Sequence, residues 1–249
     1  MEESVSMTGT PFPASFPTSL KGRLIVSCQA APDDPLHHVD TLARMAASAI
    51  RGGAAGLRAN GSDSIAAFRQ VTTLPIIGIE KKKFGNDISI TPDFATARAI
   101  ANAGADVIAV DCSVARHPLA QPWPELIARI HSELALPVLA DIATRDEALA
   151  AETAGADAVA TTLFGFTPQT AGARSVNWEL VENLAGSLHI PLIVEGHISH
   201  PQEACRALDL GAFAVVVGSA ITSPQSIAAR FAEAICQSRT MQSGHPNKV

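Results

Sequence analysis

Eight short apolar runs, separated by alanine-rich stretches of helical period, recur between Arg23 and Cys236. They fall at 23–28, 54–58, 75–80, 106–111, 137–141, 157–161, 191–195 and 213–217. A run that is apolar on both faces is what a buried parallel strand needs, since helices cover one side and the core the other. Segments of helical period, such as His38 to Arg51 and Ile65 to Val71, lie between them. This alternation predicts an α/β fold, a single-domain TIM (β/α)8 barrel, and the 249 residues match the roughly 250 typical of one such domain. An open doubly wound sheet is the alternative, but no GxGxxG motif follows the first run. The barrel is expected over residues 21–237, with a disordered segment at 1–20 and a polar tail at 238–249.

A weak internal repeat marks the helix-to-strand joints. Gly52-Gly53-Ala54-Ala55-Gly56, Ala103-Gly104-Ala105-Asp106, Ala154-Gly155-Ala156-Asp157 and Leu210-Gly211-Ala212-Phe213 each end a helix and open a strand. Glycine just after a helix takes the left-handed conformation that stops it. Helix starts are expected at Thr91-Pro92-Asp93, Gln121-Pro122-Trp123-Pro124 and Ser223-Pro224, because proline in a first turn forfeits no helical hydrogen bond.

Composition excludes several classes of function. Hydrophobic residues make up 47% of the chain but aromatics only 4%, and the net charge is −6. Neither a stacking platform for single strands nor a phosphate-tracking surface is available, so no nucleic-acid partner is expected. No uninterrupted apolar stretch reaches the ~18 residues of a membrane span, and no signal peptide opens the chain. The four cysteines, Cys28, Cys112, Cys205 and Cys236, show no CxxC or ligand-like spacing. They read as reduced thiols of a cytoplasmic protein without structural zinc.

The strand ends carry the chemistry. Barrel enzymes place their active sites at the carboxyl ends of the strands. Read in order, those ends present Ser27-Cys28-Gln29, Arg58, Lys81, Asp111, Asp141, Thr161-Thr162, Glu195-Gly196 and Gly218-Ser219. Lys81 shares strand parity with Ile77 and Ile79, which directs it toward the same face, and partial desolvation there lowers an ammonium toward a useful base. Lys81-Lys82-Lys83 also reads as a solvated charge run at a loop. Gly196 and Gly218-Ser219 lie after the seventh and eighth strands, where barrels often bind phosphate through backbone N–H groups. Asp111, Asp141 and Glu195 have the oxygen chemistry of magnesium ligands, but no histidine accompanies them at a strand end and a lysine competes for the same field. No metal and no cofactor are expected.

At these residues the chain resembles the N-acetylmannosamine-6-phosphate 2-epimerase family. The resembling segments include Leu24-Ile25-Val26-Ser27-Cys28-Gln29, Gly56-Leu57-Arg58-Ala59-Asn60-Gly61 and Leu74-Pro75-Ile76-Ile77-Gly78-Ile79-Glu80-Lys81. Ala140-Asp141-Ile142-Ala143-Thr144, Thr161-Thr162-Leu163, Val194-Glu195-Gly196-His197 and Val217-Gly218-Ser219 follow in the same order. The resemblance covers nearly all of 23–236. It implies a TIM barrel that interconverts the 2-epimers of an N-acetylhexosamine 6-phosphate without a cofactor, in amino-sugar and sialic-acid breakdown. It also implies a homodimer. Carried onto this chain, Lys81 and Glu195 are catalytic, Gln29, Arg58, Asp141 and Thr161 bind the sugar, and Gly196, Gly218 and Ser219 hold the phosphate.

The chain departs from the family pattern in the loops. Ser223 stands where the family has an arginine suited to phosphate, and Phe164 and Phe166 replace hydroxyl-bearing residues. Glu80 replaces an apolar residue beside Lys81. Two rival readings follow: a sugar-phosphate lyase or synthase using Lys81 as an imine former, and a non-catalytic or altered-specificity sugar-phosphate-binding barrel.

Overall fold

The computed structural model describes residues 15–85 and 87–243. Eight parallel strands close in the order β1-β10-β9-β8-β7-β6-β3-β2. They are β1 (Leu24–Cys28), β2 (Gly56–Asn60), β3 (Ile76–Ile79), β6 (Val107–Asp111), β7 (Val138–Asp141), β8 (Ala158–Ala160), β9 (Leu192–Glu195) and β10 (Ala214–Val217). Each coincides with a run read from the sequence, within two residues at either end. Helices follow most strands: α1 (Val39–Arg51), α2 (Ser62–Val71), α3 (Phe94–Asn102), α4 (Trp123–Arg129), α5 (Arg145–Thr153), α6 (Trp178–Ser187) and α7 (Pro201–Asp209). A single turn, α8 (Ser219–Thr222), and a long α9 (Pro224–Ser243) end the described chain.

The joints behave as the repeat implies. Gly53, Gly104, Gly155 and Gly211 all adopt φ between 93° and 105°. The aspartates that open two strands then accept the first N–H of the neighbouring strand: Asp106 from Ile76 at 2.8 Å and Asp157 from Val138 at 2.7 Å. Asp93 caps α3 by accepting from Thr96 N, and Thr144 with Glu147 closes a reciprocal cap on α5.

Strand parity sorts the apolar residues into two cores. Val26, Leu57, Ile76, Ile108 and Val159 face the helices. Ile25, Ile77, Ile79, Leu139, Ile193 and Val216 fill the barrel interior. The amino-terminal end of that interior is closed by Phe16 and Leu20, the latter fully buried, with Phe16 set edge-on to Phe213 at 5.9 Å. The expected disordered segment at 1–20 is therefore corrected for its last residues. An open barrel bottom would expose Ile25 and Val216, and two apolar side chains preceding β1 cover it. Residues 1–14 lie outside the described residues.

Two further differences concern connections. The Lys81-Lys82-Lys83 run, read as a loop, forms β4 (Lys81–Phe84) of an antiparallel hairpin with β5 (Asp87–Ile90), pairing Lys81 with Ile90. At the other end α9 continues to Ser243, into the segment assigned to a polar tail. Residues 244–249 lie outside the described residues.

Leu20→Ala removes the side chain that seals the barrel bottom. A loss of about 2–5 kcal/mol in unfolding free energy is expected by urea denaturation, and an unchanged midpoint would show that the plug contributes nothing.

Candidate active site

Among the described residues Arg58 is the largest fully buried side chain, at 0% exposure. It points inward from the middle of β2, in register with Ser27 on one side and Ile77 on the other. A guanidinium cannot lose its proton at this position, so its charge must be answered by neighbours. Asp141, at the end of β7, meets it bidentately, with Nη1 to Oδ1 at 3.0 Å and Nη2 to Oδ2 at 2.5 Å. Glu195, at the end of β9, takes a second ion pair on Nη1. Thr162 donates to Asp141 Oδ1 at 2.6 Å and accepts from Arg58 Nη1 at 3.1 Å.

The electrostatic consequences are opposed but readable. Burial works to lower the pKa of Arg58, yet Asp141 and Glu195 hold it above the usual arginine range. Burial raises Glu195, reinforced by Asp141 and opposed by Arg58, so its carboxyl takes up a proton more readily than an ordinary glutamate. Lys81 is accessible from the cavity, although the walls around it remove enough water to lower its pKa. Arg58 lowers it further, while Glu195 and Asp141 pull the other way. An acid shifted up and a base shifted down at one mouth are the ingredients of proton transfer.

The mouth opens into a cleft of two lobes. One, of about 840 Å³, is bordered by Arg58, Asp111, Ser113 and His117 and by several apolar side chains. The other, of about 820 Å³, is bordered by Gly196, Gly218, Ser219 and Ser223 and by two arginines, Arg174 and Arg230. Gln29, Lys81, Thr162, Phe166 and Glu195 border both lobes, so the lysine and the glutamate stand at their junction. Gly196 adopts φ 95°, a left-handed turn that carries the chain from Glu195 around the second lobe.

Of the site residues read from the sequence, Lys81, Glu195, Gln29, Gly196, Gly218 and Ser219 all face this cleft. Arg58 borders one lobe with its terminal nitrogens committed to carboxylates. Asp141 is fully buried beneath it. Thr161 is buried as well, its hydroxyl donating to Glu195 O at 2.8 Å and accepting from Glu195 N at 3.1 Å. The neighbouring Thr162 is the threonine that borders the cleft. Gln29 donates to Ser27 Oγ at 2.9 Å and leaves Oε1 buried without a partner among the described residues.

Sequence reasoning passed over three contributors. Asp111 reads from the sequence as a strand end with a metal ligand's chemistry and no part in the reaction; in the fold Ser113 donates to its Oδ1 through both N and Oγ, at 3.0 and 2.7 Å, and burial raises the pKa of Asp111 against those bonds. Arg174 and Arg230 carry no strand-end signal, since one lies in a loop and the other on α9.

A closed parallel barrel with a buried arginine–carboxylate network under a lysine and a glutamate is an enzyme of the (β/α)8 class. A family profile described as "Putative N-acetylmannosamine-6-phosphate epimerase" matches residues 42–237. A Clostridium perfringens (strain SM101) relative called "Putative N-acetylmannosamine-6-phosphate 2-epimerase" is 44% identical over 86% of this chain and 97% of its own length. One from Thermosynechococcus vestitus, under the same name, is 47% identical over 82% of this chain and 90% of its own. A solved N-acetylmannosamine-6-phosphate 2-epimerase from Clostridium perfringens superposes with a TM-score of 0.83 at 42% identity, covering 86% of this chain and 94% of that one. The chain belongs to the N-acetylmannosamine-6-phosphate epimerase family.

Replacing Arg58 by Met leaves two buried carboxylates without a counter-charge. A loss of about 3–5 kcal/mol in stability is expected by urea denaturation; a near-neutral result would mean that water reaches Asp141 and Glu195 in the folded protein.

Proposed function

We propose that this protein interconverts N-acetylmannosamine 6-phosphate and N-acetylglucosamine 6-phosphate by moving the proton on C2, in amino-sugar and sialic-acid catabolism, with no cofactor. The observation that carries this reading is the junction of the two lobes, where Lys81 and Glu195 border both and Glu195 is anchored by the buried Arg58–Asp141 pair. Membership of the family supports the same substrate pair.

The chemistry follows from acidity. A proton on C2 is removable when C1 is a carbonyl, so the open-chain sugar reacts. Lys81 Nζ takes that proton, and the electron pair moves through C2–C1 onto the carbonyl oxygen, giving an enediolate-type anion. Glu195 returns a proton to C2 on the opposite face, which inverts the centre. Lys81 then carries the extra proton and Glu195 lacks one, and transfer between them resets the pair. Gln29 and Thr162 orient the sugar. Arg58 fixes Glu195 and stabilises the anion through the field it sets at the mouth. Asp141 and Thr161 act as positioning residues, one holding Arg58 and the other the backbone of Glu195.

The second lobe takes the phosphate. Gly196, Gly218 and Ser219 let backbone and hydroxyl approach its oxygens, and the cation that Ser223 lacks is available from Arg174 and Arg230. Binding energy from this remote group holds C2 at the Lys81–Glu195 junction.

The protein is proposed to act as a cytoplasmic homodimer. Phe231 and Ile235, one turn apart on α9, stand 70% and 56% exposed, an apolar strip of the kind that a second copy covers. Among the described residues no helix is long and apolar enough to cross a membrane. Phe231→Ser is expected to shift the mass measured by light scattering from dimer toward monomer.

Proton NMR in deuterated water tests the reaction. Wild type is expected to place deuterium at C2 and build the gluco epimer from the manno 6-phosphate. Lys81→Ala should lose both while retaining ligand affinity; near-normal turnover in that variant would remove Lys81 from the mechanism. The active form holds one proton between Lys81 and Glu195, so kcat/KM should be bell-shaped in pH. Its acid limb should lie above the ordinary glutamate value of 4.5 and its alkaline limb below the ordinary lysine value of 10.5.

A further inference from the structure

The first lobe of the cleft holds more apolar surface than a phosphorylated sugar alone can use. Ile79, Ile88 and Ile90 wall one side of it, and Leu163 and Phe166 another. Ile88 projects from β5 of the hairpin and Phe166 from the loop after β8, and they stand 56% and 72% exposed. Large apolar side chains left open to water around one cavity form a surface that an apolar ligand group covers. A sugar chain bearing hydroxyls does not do so.

We propose that this lobe receives the N-acyl group on C2, and that the enzyme's substrates extend to N-acylhexosamine 6-phosphates with acyl chains longer than acetyl. The inference rests on the proposed epimerase reading and on the phosphate occupying the glycine-lined lobe. With C6 and its phosphate there and C2 at the Lys81–Glu195 junction, carbons 3 to 5 span the second lobe. The acylamino group branches from C2 away from that chain, and the remaining space is the apolar lobe.

The polar end of the acylamino group is also met. Gln29 borders both lobes at the junction, where its side-chain amide meets the acylamino group. Beyond the amide, an acetyl group supplies a single methyl. The lobe of about 840 Å³ is far larger than that methyl, and its apolar members reach outward to Ile88 and Phe166. Each added methylene therefore exchanges water for contact with those side chains. At about 0.8 kcal/mol per buried CH2 the gain reaches roughly fourfold per methylene. It falls in KM, because the acyl chain takes no part in the bonds that change.

The test compares kcat/KM for the 6-phosphates of N-acetyl-, N-propanoyl- and N-butanoylmannosamine, in wild type and in the double variant I88S/F166S. The longer substrates are expected to match or exceed the N-acetyl compound in wild type, with falling KM and steady kcat. In the double variant the ratio of N-butanoyl to N-acetyl should drop severalfold, and a ratio is insensitive to general damage. A wild-type kcat/KM for N-propanoyl below that for N-acetyl would overturn the inference and leave the epimerase reading standing. So would an unchanged ratio in the double variant. Absence of turnover with all three substrates would overturn the epimerase reading, and this inference with it.

Discussion

A guanidinium with no exposure to water, set among the isoleucines and valines of a barrel interior, constrains everything around it. Arg58 needs negative charge within hydrogen-bond reach, because an uncompensated ion in a low-dielectric core is not tolerated. Asp141 answers it with a two-pronged pair and Glu195 adds a second carboxylate. One positive and two negative charges leave a net −1, so a proton carried between Lys81 and Glu195 brings the cluster to neutrality. That pair keeps one proton between an acid limit raised above that of an ordinary glutamate and an alkaline limit lowered below that of an ordinary lysine. In the proposed mechanism the proton that balances the site is also the one the reaction moves.

This couples stability to function within the same few atoms. The salt-bridged end of β9 holds Glu195 still, and Thr161 clamps its backbone from β8. Lys81 begins a hairpin, whose first N–H donates to Asn60 Oδ1 at 2.9 Å. Glu195 is therefore fixed by the barrel, and Lys81 is tied to β2 through its backbone while its side chain stays in the cavity. In the proposed mechanism, fixed placement of the carboxylate lowers the reorganisation required during proton transfer.

Much of this was legible in the sequence because strand parity is strict. Lys81, Ile79 and Ile77 share one face, and so do Asp141 with Leu139 and Glu195 with Ile193; a charged residue that continues an inward-facing series must end at the mouth. The same rule could not separate Thr161 from Thr162, because β8 ends at Ala160 and a turn of 3-10 helix takes over, cancelling the alternation. The hairpin was hidden for a related reason: a run of three lysines carries no apolar face, so pairing with Ile88 and Ile90 leaves no periodic signal. Phe16 and Leu20 lie among prolines, and only the geometry of a closed barrel reveals that its lower end needs a plug. Arg174 and Arg230 reach the cleft through loop and helix placement, which no local pattern encodes.

The division of labour in the cleft follows from these two kinds of element. Of the pair proposed to move the proton, Glu195 ends a barrel strand and is hydrogen-bonded on both sides, and Lys81 opens the hairpin. Residues that border the outer parts of the two lobes sit on loops, on the hairpin and on α9. Of the departures from the family pattern, Ser223 and Phe166 lie in this second set, Phe164 packs against the helix-side core, and Glu80 directly precedes Lys81. A substitution at Ser223 or Phe166 changes what borders the lobes. Phe166 stacks on His197 at 5.6 Å with nearly parallel rings, and the φ of 59° at His197 turns the chain so that its Nε2 meets Phe164 O at 2.9 Å. The loop after β8 is thereby braced against the loop after β9, directly over Glu195. Phe166 in that brace borders both lobes, so on the proposed reading the substitution that removes a hydroxyl from the phosphate side adds contact area on the acyl side. On that reading a change in substrate preference, with the reaction unaltered, is the physical outcome of the exchange.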